Sequence, residues 1–242
     1  NNGGAGSLGN GVSDRPVIAD PAITELNQAF LEWQPSAGLS LRGGRQEVIF
    51  DNARLVGNVA WRQNHQGFDG VVARYSGVPR LKLAYAFLDR QRTVGGASRP
   101  MSTSHFDIAY TFGPSATVRA YLLELDYDDP AQWALSTRTV GAALTGTQPL
   151  GEGLAFSYRA EAAAQADTGD NPHAVDADYL RADLGLEVGK VTVGAGYELL
   201  GGSPTEGAFQ TPLATLHAFN GWADLFITTP ADGLRDLFVS CG

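Results

Sequence analysis

Hydrophobic and polar residues alternate along much of this chain. In Thr103–Phe112, Phe106, Ile108, Tyr110 and Phe112 share one parity, and His105, Asp107, Ala109 and Thr111 share the other. In Val191–Leu199, Val191, Val193, Ala195, Tyr197 and Leu199 oppose Thr192, Gly194, Gly196 and Glu198. A β-strand points successive side chains to opposite faces, so a period of two gives each block one apolar and one polar face. The second face is small, polar or charged rather than core-like. Repeated along the chain, this predicts a transmembrane β-barrel with an apolar outside and a wet interior.

Turn residues punctuate the blocks. Ile23–Gln34 turns at Pro35-Ser36-Ala37-Gly38 into Leu39–Phe50, where Gly43-Gly44 is a candidate bulge. A long polar stretch, Asp51–Gln66, precedes Phe68–Ser76, a tight turn at Gly77-Val78-Pro79, and Leu81–Leu88. Asp89–Ser102 reads as a basic loop. Thr103–Phe112 and Ala116–Leu125 form the next hairpin, with Asp126–Pro130 as an acidic loop. Leu135–Thr147 turns at Gln148–Gly153 into Leu154–Ala164, and Ala166–Ala177 reads as a polar loop. Tyr179–Val188 and Val191–Leu200 follow, then the long irregular Gly201–Gly233.

The expectation is an all-β, antiparallel transmembrane β-barrel with about ten to twelve strands present, part of a larger barrel. One barrel domain would cover 1–242, incomplete at both ends, with 1–20 a flexible loop. Short turns fall at one end and long loops at the other, as in bacterial outer-membrane barrels. A soluble sandwich has no reason to keep its two ends so different.

Composition narrows the class. No stretch of about 18 apolar residues occurs, so no transmembrane helix is expected, and barrel strands remain compatible with that. The formal net charge of −9 argues against nucleic-acid binding, which needs clustered positive charge. The lone Cys241 excludes an internal disulfide framework and a cysteine metal cluster. The chain opens on a polar Gly/Asn run without a signal peptide and ends at Leu237–Gly242 as if starting a strand, which suggests a fragment.

With the apolar parity facing lipid, the other parity carries Arg42, Arg74, Lys82, Asp107, Arg119, Arg159, Glu161, Arg181, Asp183, Glu187 and Glu198 inward. A mid-strand charge facing lipid costs roughly 2–4 kcal/mol, which drives this placement. Two readings follow: a wall of cross-strand ion pairs, or a charged pore that selects its solute. Trp33, Tyr75, Tyr110, Phe112, Tyr127, Trp133 and Tyr179 lie near strand ends, where aromatic girdles frame a membrane band. The Asp51–Asn64 block is too polar to span lipid, so it sits outside or folds into the lumen as a constriction, and Phe209–Asp224 is a second candidate.

Enzymatic signatures are weak. Asp167-Thr168-Gly169 lacks the second copy an aspartic protease needs, and no nucleophile-elbow, P-loop or dinucleotide motif occurs. Asp167, Asp170, Asp176 and Asp178 lack EF-hand spacing, and the four histidines lack metal spacing. No catalytic residue, metal or cofactor is expected. A barrel enzyme and a soluble ligand-binding β-barrel are the competing readings.

Two blocks carry a family resemblance. Gly44-Arg45-Gln46 is followed by D-N-A-R-L-V-G-N-V-A-W-R-Q-N from Asp51 to Asn64. Leu213–Asp224 precedes Thr229–Asp236. Together they resemble the alginate-export family of outer-membrane porins, in its broad, porin-like branch. The resemblance implies a monomeric barrel in the outer membrane of a Gram-negative bacterium, in contact with membrane lipid and lipopolysaccharide. It implies passive passage of polar or anionic solutes, including alginate-like oligo- or polysaccharide; a non-selective porin is the alternative. By match of motif it marks Arg45, Arg54 and Arg62 as pore arginines. Parity puts Arg42 inward and Arg45 outward unless a bulge at Gly43-Gly44 flips the register.

Overall fold

The alternating blocks form strands that pair in chain order. The computed structural model describes residues 23–220 and 225–242. The strands are β1 (Ala29–Ser36), β2 (Leu39–Gln46), β3 (Gly67–Tyr75), β4 (Leu81–Arg92), β5 (Ser98–Phe112), β6 (Ala116–Leu125), β7 (Thr137–Gly151), β8 (Leu154–Asp167), β9 (Asp176–Val188), β10 (Val191–Leu200), the two-residue β11 (Gly202–Ser203) and β12 (Gly207–Ala208), and β13 (Leu234–Cys241). β11 and β12 make a small ribbon of their own. The others form one 11-stranded sheet in the order β1-β2-β3-β4-β5-β6-β7-β8-β9-β10-β13. The expected flexible loop at 1–20 lies outside the described residues.

The strands run longer at the loop end than periodicity suggested. Asp89–Ser102 is mostly strand rather than loop: β4 continues to Arg92 and β5 begins at Ser98. A register shift between Leu88 and Arg90 skips Asp89, which broke the alternation in sequence. Ala166–Ala177 shortens in the same way, because Asp167 ends β8 and Asp176 begins β9. β7 runs through Gln148 and Pro149 to Gly151, with a shift between Pro149 and Gly151. At the other extreme, Ile23–Gln28 is not strand, and β2 stops at Gln46 rather than Phe50. No bulge forms at Gly43-Gly44, where β2 and β3 pair without a shift from Leu39↔Tyr75 to Gln46↔Phe68.

The parity assignment has a physical consequence. Phe106 and Ile108 on β5 are 50 % and 46 % exposed, while His105 and Asp107 beside them are 2 % and 9 % exposed. A water-soluble protein hides the first pair and wets the second; this sheet does the reverse along strand after strand. Its apolar face is therefore the lipid face. Trp33, Tyr110 and Phe112 stand on that face, whereas Tyr127 and Tyr179 are buried on the other. Those two depart from the girdle because their hydroxyls donate inward, to Gln91 Oε1 and Glu198 Oε1, each at 2.8 Å.

Charges on the outward parity gather at the long-loop end. Arg45, Asp69 and Arg90 lie in one cross-strand row over β2–β4, with Arg92 two residues beyond Arg90. Glu124 and Arg138 pair across β6 and β7. These residues trace the upper border of the apolar band.

The polar face is concave. Eight ladder steps separate β2 from β10 in the strand order, on the order of 38 Å if the sheet were flat. Yet Arg54, a short way past the end of β2, bonds Glu198 on β10. The sheet must curl to bring them together. β1 and β13 are its two edges, so the barrel is not closed among the described residues. Unpaired edge groups cost several kcal/mol each in hydrocarbon, so within a membrane both edges require further strand partners.

The substitution Ile108→Arg is expected to cost about 2–4 kcal/mol, because it places a cation on the lipid face. Thr111→Arg, on the inward parity, should cost far less. Urea unfolding of the full-length protein from lipid vesicles compares the two; equal losses would reject this assignment of the faces.

Candidate functional site

Two connections fold onto the concave face and fill its long-loop half. The first runs from 47 to 66. Ala53 N–H donates to the Phe50 carbonyl (2.9 Å), Phe50 N–H donates to Val56 (3.1 Å), and the Asn52 side chain accepts from Arg54 N–H (3.1 Å). This compact reversal needs Asp51 and Ala53 at φ 50° and 65°, and Val59 further on stands at φ 53°. A β-branched residue in that region is strained, and it persists where its surroundings over-determine it. Val59 N–H is held by Thr215 Oγ1 at 3.2 Å. Gly57 allows the close approach, since a Cβ there would lie 2.2 Å from Thr215 Oγ1.

The second connection lies between β10 and β13. Gly57 N–H donates to the Leu213 carbonyl (2.9 Å), and Thr215 N–H donates to Ala53 (3.0 Å). Buried glutamines tie both connections to the wall. Gln66 donates to Gly57 and Leu213 carbonyls at 2.7 and 2.8 Å, and Gln91 donates to Gln66 at 2.8 Å. Gln165 exchanges bonds with the Gln210 backbone at 2.9 and 2.8 Å. An apolar cluster including Val48, Phe50, Val56, Phe68, Val72, Met101, Leu123 and Leu213 fills the space between. His105 sits inside this plug, its ring 4.1 Å from Phe50 and 6.5 Å from Tyr121.

Beneath the plug, toward the short turns, lies a charged belt. Register places Arg119, Ala143, Glu161, Arg181, Glu198 and Asp236 in one row across β6–β10 and β13. Two residues of the first connection drop onto this row. Arg54, 1 % exposed, makes a forked pair with Glu198 (2.8 and 3.1 Å) and donates to Thr211 (3.1 Å). Asp51 lies between Arg119 at 3.4 Å and Arg159, which it contacts closely. Arg119 also reaches Asp107 at 2.6 Å, Arg159 reaches Glu161, and Arg181 reaches Asp183 at 2.7 Å and Glu198 at 3.6 Å. Tyr121 donates to Glu161 at 2.8 Å by lying across Gly141, where a Cβ would be 2.4 Å from its hydroxyl.

The sequence-predicted cations thus fall into distinct settings. Arg54, Arg119, Arg159 and Arg181 are joined to carboxylates within the belt. Arg42 is inward and forked to Glu32 at 2.6 and 3.1 Å. Arg45 stands on the outward parity, bonded to Asp69 at 2.7 and 3.1 Å. Arg62 belongs to the first connection, its guanidinium 3.9 Å from the Trp61 ring centroid. Arg74 and Lys82 face inward and make no ion pair among the described residues; Arg74 donates to the Ile49 carbonyl at 3.3 Å. They border a cavity of about 330 Å³ together with Asp51, Asp107 and Arg119. Asp51, Tyr121, Tyr179 and the buried glutamines complete the site. Parity alone could have marked Tyr121 as a neighbour of Arg119, but nothing local reveals that Asp51 reaches β6 and β8.

At the root of the first connection, Glu47 accepts bonds from Asn27 (2.9 Å), Asn58 (2.5 Å) and His65 (2.7 Å). Partial burial pushes its carboxyl up, but these hydrogen bonds outweigh burial and hold it below its ordinary value.

Comparison with known proteins places this geometry. A family model described as alginate export matches residues 6–199. The chain belongs to the alginate export family. No curated protein sequence matches this family member significantly. Among solved structures it is similar to Pseudomonas aeruginosa OpdL, with a TM-score of 0.66 and 20 % identity over 87 % of this chain and 58 % of that one. Pseudomonas aeruginosa OpdK with vanillate gives 0.60 and 16 % over 71 % and 46 %; Acinetobacter baumannii OccAB3 gives 0.57 and 19 % over 67 % and 42 %. This alginate export family chain therefore spans a little over half of the OpdL chain. It has the fold of these outer-membrane barrels and belongs in the Gram-negative outer membrane.

Removing one member of the buried pair strands the other. Arg54→Ala is expected to destabilise by about 3–5 kcal/mol, and Arg54→Met with Glu198→Gln, which keeps an acceptor for the Tyr179 hydroxyl, by distinctly less. Thermal unfolding and protease cleavage within 47–66 read both effects. The depressed Glu47 carboxyl contributes stability that is fully present above about pH 4.3 and is lost as pH falls through its folded value. Protection of the 58–66 amides, taken relative to intrinsic exchange, should fall on acidification through the folded value, and Glu47→Gln should remove that fall.

Proposed function

We propose that this chain forms part of a passive, diffusion-driven outer-membrane channel for polar or anionic solutes, including alginate-like oligo- or polysaccharides. Such a barrel acts as a monomer, its outer wall against lipid and lipopolysaccharide. The observation that carries the reading is the pair of cations without ion-pair partners among the described residues, Arg74 and Lys82, beside the cavity under the plug. A pore attracts its solute with charges that remain available and releases it when each contact is weak. Guanidinium and ammonium groups suit carboxylates, and neighbouring Asp51 and Asp107 limit how tightly an anion is held. Arg54, Arg159 and Arg181 serve mainly to anchor the plug and the wall.

A general, weakly selective porin is the second reading. It is favoured by the near balance of cations and carboxylates in the belt. Single-channel conductance of the full-length protein in planar bilayers separates the two. Anion preference in a KCl gradient, block by oligouronates, and loss of both in the double variant Arg74→Gln, Lys82→Gln support the anionic pathway. A loss of roughly fivefold or more in oligouronate affinity is expected for two exposed charge contacts. Conductance without preference or block leaves the general porin.

A further inference from the structure

The outward face carries an arrangement that solute passage does not use. Three guanidiniums converge on one carboxylate at the upper border of the lipid band. Asp69 receives Arg45 at 2.7 Å, Arg92 at 3.3 Å and Arg90 at 3.9 Å. Arg90 also donates to Ser98 Oγ at 3.0 Å, and Arg45 to the Leu26 carbonyl at 3.2 Å. Arg92 keeps a buried Nε without a hydrogen-bond partner. Glu25 lies close enough to act electrostatically on Arg45, and exposed Asp89 sits in the adjoining bulge. Within the convergence itself, cations still exceed carboxylates, in a position where hydrocarbon begins a few residues below.

The same strands carry an apolar groove lower down the lipid face. It holds about 490 Å³ and is bounded by Ala73, Tyr85, Phe106, Ile108 and Leu122. Asp69 and Ala73 are four residues apart on β3, about 13 Å along a strand. An acylated headgroup spans that separation, with its phosphate above and its chains below.

We propose that Arg45, Arg90 and Arg92 form a binding site for the phosphorylated glycolipid headgroup of lipopolysaccharide, with an acyl chain seated in the groove beneath. The long-loop end of an outer-membrane barrel faces the external leaflet, where that lipid resides. Guanidiniums match phosphate oxygens in forked geometry, and the side chains of Arg45, Arg90 and Arg92 keep 24, 36 and 25 % of their surface open to an incoming phosphate. Charge complementarity sets the occupant: a neutral lipid offers these arginines nothing. The inference rests on the outer-membrane placement and on lipopolysaccharide as the surrounding lipid, and is independent of which solute the lumen passes.

Native mass spectrometry of the full-length protein in detergent provides the test, with bisphosphorylated lipid A, dephosphorylated lipid A, phosphatidylglycerol and inorganic phosphate as separate probes. Preferential binding of bisphosphorylated lipid A is expected, reduced at least tenfold in Arg90→Gln, Arg92→Gln. Arg138→Gln, on the neighbouring rim, should leave it unchanged. Heat-modifiable mobility verifies that each variant is folded, and Arg92→Lys, which keeps the charge but not the fork, should recover part of the binding. Equal binding of dephosphorylated lipid A or of phosphatidylglycerol, competition by inorganic phosphate at the same concentration as the lipid, or full binding by the double glutamine variant would each overturn the assignment. Bilayer conductance of the same double variant should match the unaltered protein, so failure here is distinguishable from failure of the channel reading.

Discussion

Everything in this structure follows from a backbone that cannot turn to water. In hydrocarbon each N–H and C=O must find a protein partner, and a continuous antiparallel ladder is one of two ways to provide them. The ladder fixes the strand order as the chain order. It also fixes a period of two in the side chains, so one decision about which face meets lipid settles the position of every residue in every strand. The small irregularities at Asp89 and Pro149 are tolerated because each lies near a strand end, where the chain is leaving the apolar band.

The interior is a different problem. A lumen lined with arginines and carboxylates would hold water if left alone, but here half of it is packed with two connections that bring their own core. Their attachment is divided by chemistry. Apolar side chains and glutamines seal the upper half, and Asp51 and Arg54 engage the charged belt below. Each buried charge has a counter-charge in direct contact, which is the condition under which burial is tolerable. Arg74 and Lys82 stand outside this pairing, where the packed plug gives way to open lumen.

The wall was legible in the sequence, and infolding was one of two readings for the plug's two blocks, but the contacts that hold the plug were not legible. Alternation in Thr103–Phe112 or Val191–Leu199 is local information, and it assigned the lipid face and the inward charges strand by strand. Where alternation breaks, as at Asp89, local reading shortened the strand, because a skipped residue and a loop look alike in sequence. The partners of Arg54 and Asp51 are of another kind. Glu198 lies far along the chain from Arg54, and only curvature accumulated over many strands brings them together. The motif around Arg54 pointed to an arginine of consequence, while its surroundings, a carboxylate, a threonine hydroxyl and no solvent, come from the third dimension.

Gly141 illustrates how finely the interior is balanced. Tyr121 reaches Glu161 only by lying flat over a residue without a side chain. A single methyl there would lift the ring, withdraw its hydroxyl and leave Glu161 with less of its negative charge shared. A change in volume would thus surface as a change in electric potential inside the lumen, with no titratable group altered. Under the proposed channel function, selectivity is then open to evolution through neutral residues, and comparisons of lumen charge alone would overlook it.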